Sequence, residues 1–538
     1  MSPRAVVAAA LLAAAPAARG GDAVEASATL HLRATALGNA PETDVRYDPA
    51  ARTFALDGYL VPDGREGFAS GYASFALDGR HRDGDLRWRV QLDTGELRRR
   101  RFPELVPVCL SDGATGLASP GSGDCLLVST RAGPRPVVVP LESTALADAE
   151  ATANGRPLAD ELEETLLLRE AYVAASLGRA GFATLRAGRR RMTVAEGFVH
   201  DDYGTGLEAE LDLGAIGPPF ALSGAIFEPS RGLPGSVAEA SPTVAVRADW
   251  LPSLFEHAGL FLALHRDRSG GIAELLRGAL VERLVTEYLT DPAVEQRDDA
   301  RLLALLQAAP AESDALLAWA GTSGSLLPGR GQRLDWTLGL LRGRIDHIRA
   351  AVRPDPSQPP ATLAEDLDLS GRLVWLRWEA DVGRRLTAGA WFLYLSGDEL
   401  PRRGTGLDAP LTGTYGGFIG LAPFVTATNL FFGGGLSESF AAREVSAPGV
   451  NGRGVVAPGL TLDWDVAEGV ALALNAAWLR ADAPGPFGGR GYGTEVDVEV
   501  RWRVARWLQL GAEADALFPG DFFPGDAPSP RRSSRSTW

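Results

Sequence analysis

The chain has 538 residues, a net charge of −15 and a mean hydropathy of −0.02. The acidic balance argues against a nucleic-acid partner, which would require a basic surface. No internal stretch contains the roughly 20 apolar residues of a transmembrane helix. Glycine (63 residues) and proline (36 residues) recur along the whole chain as turn residues, and no linker divides it.

The N-terminus predicts a secretion signal over residues 1–20. Arg4 supplies the positive charge, Ala5–Ala15 forms an apolar run, and Ala15-Pro16-Ala17 is a small-residue cleavage site. An alanine-rich helix at the start of a mature domain is the alternative. The signal predicts that the chain is exported.

The segments that follow alternate between polar and apolar residues with period two. In Thr494–Val504, charged residues occupy one face of a strand and apolar residues occupy the other. The same pattern recurs in 29–36, 85–93, 207–213, 243–250, 374–382 and 460–466.

Two architectures explain such strands: a soluble sandwich, or a membrane barrel with a polar lumen. Strands of about 9–11 residues favour the barrel because they are long enough to cross a bilayer. Charged faces that mix acidic residues with arginine suit a hydrated lumen. Aromatic residues near strand ends suit an interfacial girdle; they are Trp391, Phe392, Tyr394, Phe431 and Phe432.

We therefore predict an all-β fold: a transmembrane antiparallel up-and-down β-barrel of about 16–18 strands spanning residues 21–523. Two connections, 98–164 and 269–331, are long enough to cap, plug or constrict it. The second shows helical spacing at Leu275, Leu276, Ala279 and Leu280, which predicts a helical insertion near 270–330. The first contains Cys109 and Cys125, which suit a loop disulfide; a free buried pair is the alternative.

Two stretches resemble a known family. Glu170-Ala171-Tyr172, followed by Gly188-Arg189-Arg190-Arg191 and an acidic loop, resembles a hairpin of the alginate export family of outer-membrane porins. Arg190 stands where that family usually has glutamine. Near the other end, "YGTEVDVEV" and "LQLGAEADALFPGDFF" resemble the family's last strands. The resemblance implies an 18-stranded barrel whose arginine-rich lumen conducts an anionic polysaccharide, together with periplasmic export components.

The resemblance and the alternation disagree about the arginine cluster. The resemblance implies that Arg189 and Arg191 are functional, whereas alternation places Arg186 and Arg190 in the lumen. The conflict would be resolved if the arginines lay at the end of the strand, or if a β-bulge changed the alternation there. The alternative role for the arginine cluster is contact with lipid phosphates at the rim of the barrel. The candidate solute-contacting residues are Glu170, Tyr172, Arg186, Arg189, Arg190, Arg191, Arg377, Glu495, Asp497 and Arg501.

The sequence contains no catalytic or cofactor motif that we recognise, and its six histidines lack the spacing of a zinc helix. We expect a passive channel in the bacterial outer membrane, in contact with the lipid bilayer, that passes an anionic polysaccharide or small polar solutes. It needs no cofactor or metal, and it is not an enzyme. A plugged structural barrel with adhesive loops, or a soluble sandwich, is the alternative.

The C-terminus departs from the barrel pattern. After the strand from Trp507 to about Phe518 and the turn Phe518-Pro519-Gly520-Asp521, residues 524–538 show no alternation. We predict a disordered tail there and a missing closing strand, so that the strand starting at Trp507 leaves a gap or pairs directly with residues near 29–36.

Overall fold

A computed structural model describes most of the strand-forming part of the chain. The described residues are 23–48, 53–81, 85–93, 97–101, 105–108, 126–129, 167–178, 182–229, 241–268, 272, 276, 314–346, 351–352, 361–362, 364–399, 411–421, 425, 427–432, 449, 452–485 and 488–522.

These residues form 24 strands in chain order. The first twelve are β1 (Ala23–Asp48), β2 (Thr53–Arg80), β3 (Leu86–Asp93), β4 (Leu97–Arg101), β5 (Leu105–Val108), β6 (Leu126–Ser129), β7 (Leu167–Leu177), β8 (Ala183–Val194), β9 (His200–Asp212), β10 (Phe220–Pro229), β11 (Thr243–Ser253) and β12 (Glu256–Asp267). The others are β13 (Asp314–Leu326), β14 (Gln332–Asp346), β15 (Ala351–Val352), β16 (Ala361–Thr362), β17 (Ala364–Leu369), β18 (Arg372–Asp381), β19 (Leu386–Leu395), β20 (Leu411–Tyr415), β21 (Val455–Ala467), β22 (Val470–Arg480), β23 (Gly491–Ala505) and β24 (Leu508–Pro519). Short 3₁₀ turns occupy Ala195–Gly197 and Leu213–Ile216.

Twenty of these strands belong to one sheet. Its wall is an antiparallel meander in which each strand pairs with the next along the chain: β1, β2, β3, then β7 through β14, then β18, β19 and β21 through β24. That is 17 wall strands among the described residues, within the predicted 16–18. The short strands β4, β17 and β20 pair at the ends of the wall.

The two ends of the wall differ in the length of their connections. One end has short turns, at 81–85, 178–182, 213–219, 254–255, 327–331, 382–385, 468–469 and 506–507. The other end carries the long connections 94–166, 230–242, 268–313, 347–371 and 396–454, together with the shorter connections 49–52, 195–199 and 481–490. We call these the short-turn end and the long-loop end. In transmembrane barrels short turns face the periplasm and long loops face the exterior.

The outward face of the wall is apolar and exposed. In β12, Leu260 has 67% of its surface exposed, and its neighbours Leu262 and Leu264 on the same face are also exposed. The same holds for Leu185, Leu207, Ile226, Val246, Leu338, Leu376, Leu460, Val500 and Trp502 on other strands. A sheet that buries polar residues inside and exposes a continuous apolar face is the fold of a transmembrane β-barrel, as predicted.

The described residues contain no helix that is long and apolar enough to cross a membrane.

The prediction for residues 269–331 was partly wrong. Ile272 and Leu276 are helical and fully buried, but residues 314–326 form the wall strand β13. The alternation of β13 is hidden because its inward residues Leu317 and Trp319 are themselves apolar and buried. The predicted 98–164 loop contains β4, β5 and β6.

Other predictions fall outside the described residues: the signal at 1–20, the pairing of Cys109 with Cys125, and the tail at 524–538. With 17 wall strands, β1 starts at the short-turn end, β24 ends at the long-loop end, and the two run in the same direction. No direct pairing of β24 with β1 occurs among the described residue pairs. The missing closing strand stays a prediction.

The outward apolar face gives a stability prediction. We expect Leu260→Arg to lower the free energy of unfolding by about 2–4 kcal/mol, because it places a charge near the middle of the apolar face. Leu254→Arg is the control, since Leu254 lies in a short turn with 96% of its surface exposed; it should cost about 0–1 kcal/mol. Urea unfolding in lipid vesicles measures both. Equal effects would contradict the assignment of this face to lipid.

Candidate functional site

The inward face of the wall divides into two arcs. In the long-loop half of β12 to β24 it packs against a segment of the long connection 396–454. Along β2 to β11 the inward face carries ion pairs between acidic residues and arginines. We call residues 411–432, of which 411–421, 425 and 427–432 are described, the inserted segment, and the strands β2, β3, β7–β9 and β11 the charged arc.

The inserted segment begins as a short strand beside the wall. Its strand β20 runs parallel to β17, which continues the ladder of β14. At the following bend the Ser396 hydroxyl donates to the Gly416 carbonyl at 2.7 Å, and the Gly416 N–H donates to the Asp398 carboxylate at 2.6 Å. The Phe418 N–H donates to the Ser396 carbonyl at 2.8 Å. These contacts turn the chain into the interior.

The middle of the inserted segment lies against β13 and the β8–β9 turn. The Trp319 indole N–H donates to the Ile419 carbonyl at 2.9 Å, and the Leu421 N–H donates to the Val199 carbonyl at 2.8 Å. Phe418, Ile419 and Leu421 are buried in one apolar cluster with Trp319. The inward face is apolar here because it covers protein and not water.

The end of the inserted segment is held by carboxylates of β23 and β24. Glu495, which is fully buried, accepts from the Thr428 hydroxyl at 2.7 Å, the Leu430 N–H at 2.5 Å and the Phe431 N–H at 3.1 Å. The Asn429 amide donates to Asp515 at 2.9 Å. These bonds satisfy backbone and side-chain donors of a segment that would otherwise be buried without partners.

Asn475 joins the same network from β22. Its amide nitrogen donates to the Ala427 carbonyl at 2.8 Å and to Asp497 at 3.0 Å, and its oxygen accepts from the Trp391 indole at 3.0 Å. The segment therefore spans the interior from β13 to β24.

This placement corrects two expectations. Glu495 and Asp497 do point inward as predicted, but they lie beneath the inserted segment and not on an open, hydrated wall. Phe431 and Trp391 are not girdle residues. Phe431 packs on Tyr492 at 4.8 Å between ring centroids, and Trp391 packs on Trp375 at 5.7 Å. The aromatic side chains fill the interior because the segment occupies it.

The charged arc brings together four of the candidate residues. Glu170 and Tyr172 are on the inward face of β7, and Arg186 and Arg190 are on the inward face of β8. Glu170 forms an ion pair with Arg89 at 2.5 Å.

Arginines and carboxylates alternate across the arc. Arg186 contacts Glu208 at 3.2 Å and Glu210 at 2.9 Å, and Arg190 also donates to Glu208. Arg89 contacts Asp78 at 3.1 Å. Because these residues are only partly buried, their charges remain accessible to water and solutes.

The strand register resolves the conflict over the arginine cluster. β8 and β9 pair without a shift from Ala183↔Leu211 to Val194↔His200, so alternation is kept through Arg191. Gly188 adopts a φ of 126°, where an added Cβ would lie 2.2 Å from the Ala171 carbonyl oxygen. The positive φ at Gly188 does not change which face the following residues occupy. Arg186 and Arg190 face inward, and Arg189 and Arg191 face outward.

The remaining candidates, Arg377 and Arg501, are inward-facing residues of the short-turn half. Arg377 is ion-paired with Glu379, and Arg501 contacts Glu499 at 2.9 Å. Arg501 also lines a cavity of about 380 Å³ with Asp381, Arg385, Asp463 and Asp465. The structure therefore does not bring the ten candidates into a single site.

Glu196 was missed by the sequence and links the two arcs. It lies in the β8–β9 turn at a φ of 52°, contacts Arg247 of β11 at 2.5 Å and accepts from the Ser323 hydroxyl of β13 at 3.0 Å. Burial alone would raise the pKa of the Glu196 carboxyl, but Arg247 and Ser323 hold that pKa below its ordinary value.

The inserted segment was also missed, although the sequence contains a signal. The connection 396–454 is rich in glycine and lacks polar–apolar alternation through Gly416-Gly417-Phe418-Ile419-Gly420. Such a stretch, too apolar for an exposed loop, is typical of chain buried inside the fold. The described residues contain no group of three or more metal-ligating side chains.

Comparisons with known proteins gave structural neighbours only. No family model matches the chain, and the search of curated proteins found no match. Among solved structures, the chain is similar to Pseudomonas aeruginosa OccK5 (OpdH), with 9% identity, a TM-score of 0.39 and coverage of 93% of this chain and 94% of that one. It is similar to the outer-membrane protein OpdK of the same species, with 12% identity, a TM-score of 0.42 and coverage of 91% and 93%.

A BenF-like porin from Pseudomonas fluorescens has 13% identity, a TM-score of 0.40 and coverage of 92% of this chain and 94% of that one. The resemblance to the alginate export family is not supported by these findings. At such low identities and TM-scores the fold assignment rests on the strand pairing of this chain itself.

The bonds to Glu495 give a prediction for the inserted segment. Glu495→Gln replaces a charged acceptor, and hydrogen bonds to charged groups contribute about 1.5–3 kcal/mol each. We expect the Leu430 and Phe431 amides to exchange with deuterium roughly tenfold faster or more. Glu499→Gln is the control on the same face of β23, because Glu499 pairs with Arg501. Unchanged exchange in Glu495→Gln would contradict the attachment.

The lowered pKa of Glu196 gives a pH dependence. The carboxylate stabilises the turn at pH values above its unfolded pKa of about 4.3, and this contribution is lost as the pH falls through the lower folded pKa. We expect the protection factor of the Val199 amide, which is its exchange rate corrected for the intrinsic effect of pH, to fall in acid in the wild type. Glu196→Gln should show the lower protection factor already at pH 7. A turn that exchanges identically at pH 7 in both proteins would refute the role of this pair.

Proposed function

We propose that the protein is an outer-membrane channel, not an enzyme, which passes small polar solutes along the charged arc. The observation that carries the proposal is the division of the interior. The inserted segment fills the long-loop half of the side formed by β12 to β24. The short-turn half of that side keeps the charged cavity beside Arg501, and the opposite side keeps partly exposed ion pairs around Glu208. An apolar lining would favour a closed structural core, whereas charged groups beside an apolar exterior suit a hydrated passage.

The charges of the proposed path are balanced. Arg186 and Arg190 share Glu208, and Arg89 is placed between Asp78 and Glu170. A path lined by such balanced charges should select only weakly between anions and cations. Passage of an anionic polysaccharide, which the sequence resemblance implies, is a narrower hypothesis. If it is correct, polyuronate oligosaccharides added to one side of the bilayer should block the ionic current through the channel.

Conductance tests the channel itself. We expect the folded, purified chain to give stepwise currents in planar lipid bilayers, because the charged arc supports a water-filled path. Folding is checked by the heat-dependent shift of its band on a detergent gel. A folded protein that never conducts would refute the channel and favour the plugged structural barrel.

Charge substitution tests the path. Replacing Arg186 and Arg190 by Gln removes two positive charges and leaves Glu208 unpaired, so we expect the reversal potential to shift toward cation selectivity. Arg189→Gln/Arg191→Gln is the matched control, because it also removes two positive charges from the same strand, but on the outward face. The proposal predicts no shift in the control, and an equal shift in both proteins would place the path elsewhere.

A further inference from the structure

Arginine–carboxylate pairs occur at intervals along the inward face of the wall, from β2 to β23. Each pair lies in the middle or in the short-turn half of its strands. Every arginine in them contacts at least one inward carboxylate. The arginines are Arg89, Arg186, Arg247, Arg333, Arg377 and Arg501. We call these six arginines, with the carboxylates they contact, the ion-pair belt.

The pairs of the belt are both tight and accessible. Arg247 contacts Asp249 at 2.7 Å, and Arg333 contacts Asp335 at 2.8 Å. The exposed fraction of the arginine side chains ranges from 25% for Arg186 to 55% for Arg333. A solute in the interior can therefore reach the guanidinium groups, but each of them already has its own carboxylate.

On two neighbouring wall strands the belt forms a checkerboard of charge. Arg333 of β14 is directly opposite Glu379 of β18, and Asp335 is directly opposite Arg377. Each arginine thus has one carboxylate two residues away on its own strand and another across the strand pair. Opposite charges in such positions stabilise the sheet. An ion that approaches either arginine also meets a carboxylate.

A hydroxyl group suits such a pair better than an ion does. It has one donor and two acceptor lone pairs, so it can accept from the guanidinium and donate to the neighbouring carboxylate without separating them. A carboxylate on a solute can only accept. It would compete with the carboxylate of the belt while lying beside it, and like charges about 4 Å apart repel each other even in water.

Tyr172 adds an aromatic surface to the belt. It is opposite Arg89 on the inward face and is half-buried. On the same side of the interior, the Gln91 side-chain oxygen accepts from Arg89 at 2.9 Å, and its nitrogen donates to the Ser74 hydroxyl at 2.8 Å. An aromatic side chain beside such donors and acceptors suits a solute that has apolar ring faces and a polar edge.

We propose that the ion-pair belt binds uncharged, hydroxyl-rich solutes, and that the solute class is a small saccharide. The paired charges supply alternating donors and acceptors for its hydroxyl groups, and Tyr172 supplies a surface for the sugar ring. The inference rests on the proposed function, because the belt meets solutes only along a hydrated path. It names an uncharged solute where the sequence resemblance implies an anionic one.

The test compares three solutes that share one sugar ring. Methyl glucoside is uncharged, methyl glucuronoside has a carboxylate in place of the primary alcohol, and the fully O-methylated glucoside has no hydroxyl to donate. Binding to folded full-length protein in detergent is measured by saturation-transfer NMR. We expect methyl glucoside to bind about fivefold more tightly than the glucuronoside and about tenfold more tightly than the O-methylated ring. No binding of methyl glucoside by wild-type protein, or equal or tighter binding of either comparison solute, overturns the proposal without relying on any variant.

Removing carboxylates from the belt should reverse its preference. Glu379→Gln/Glu499→Gln leaves Arg377 and Arg501 without the carboxylates that contact them. We expect this double variant to bind the glucuronoside about fivefold more tightly than the wild type does. An unchanged affinity for the glucuronoside would contradict the role of the paired carboxylates.

Asp314→Asn/Asp346→Asn is the matched control. It removes the same two negative charges from ion pairs with Arg266 and Arg344 on the outward face. The control should bind both solutes as the wild type does. The same gain in glucuronoside affinity here would indicate attraction by the overall charge of the protein and would overturn the belt as the binding surface.

Conductance separates this inference from the proposed function, because binding in detergent is measured without it. Wild-type protein that conducts but does not prefer methyl glucoside overturns the saccharide inference alone. Folded wild-type protein that never conducts overturns the proposed function, and with it the role of the belt in solute passage.

Discussion

The structure depends on one requirement: every backbone N–H and C=O group that faces lipid must find its partner within the protein. Between its two edge strands, β1 and β24, the meander meets it by pairing each wall strand with the next, and the pairs β7–β8, β8–β9, β12–β13 and β13–β14 are continuous. Continuous pairing keeps successive side chains on opposite faces. The residues on the face toward lipid must then be apolar, whereas the residues on the inward face can be either polar or apolar.

The same requirement governs the inserted segment, which carries its own backbone groups into the interior. Wall residues supply the missing partners: Trp319 for the Ile419 carbonyl, and Glu495 for the amides of Leu430 and Phe431. The wall beneath the segment is therefore apolar with a few buried carboxylates. No described segment covers the opposite wall, and its carboxylates pair with arginines such as Arg186 and Arg190. One loop thus gives the two arcs different chemistry.

How well the strands could be predicted depended on what covered their inward face. The alternating segment 374–382 was predicted within two residues of β18, because its outward apolar residues alternate with the inward charges Arg377 and Glu379. β13 was assigned to a helical insertion because Leu316, Leu317 and Trp319 are apolar on both faces. Its inward side chains pack on Ile419, which is a hundred residues away in sequence.

The candidate site shows the same division. The sequence by itself determined that Arg186, Arg190, Glu495 and Asp497 point inward, because alternation needs only local backbone geometry. It did not determine that Arg186 and Arg190 stay beside a charged arc while Glu495 is buried beneath the inserted segment. That distinction was decided by the tertiary structure, since the covering residues come from a distant connection and reach Glu495 only when the sheet curves to bring β13 and β23 to either side of one segment.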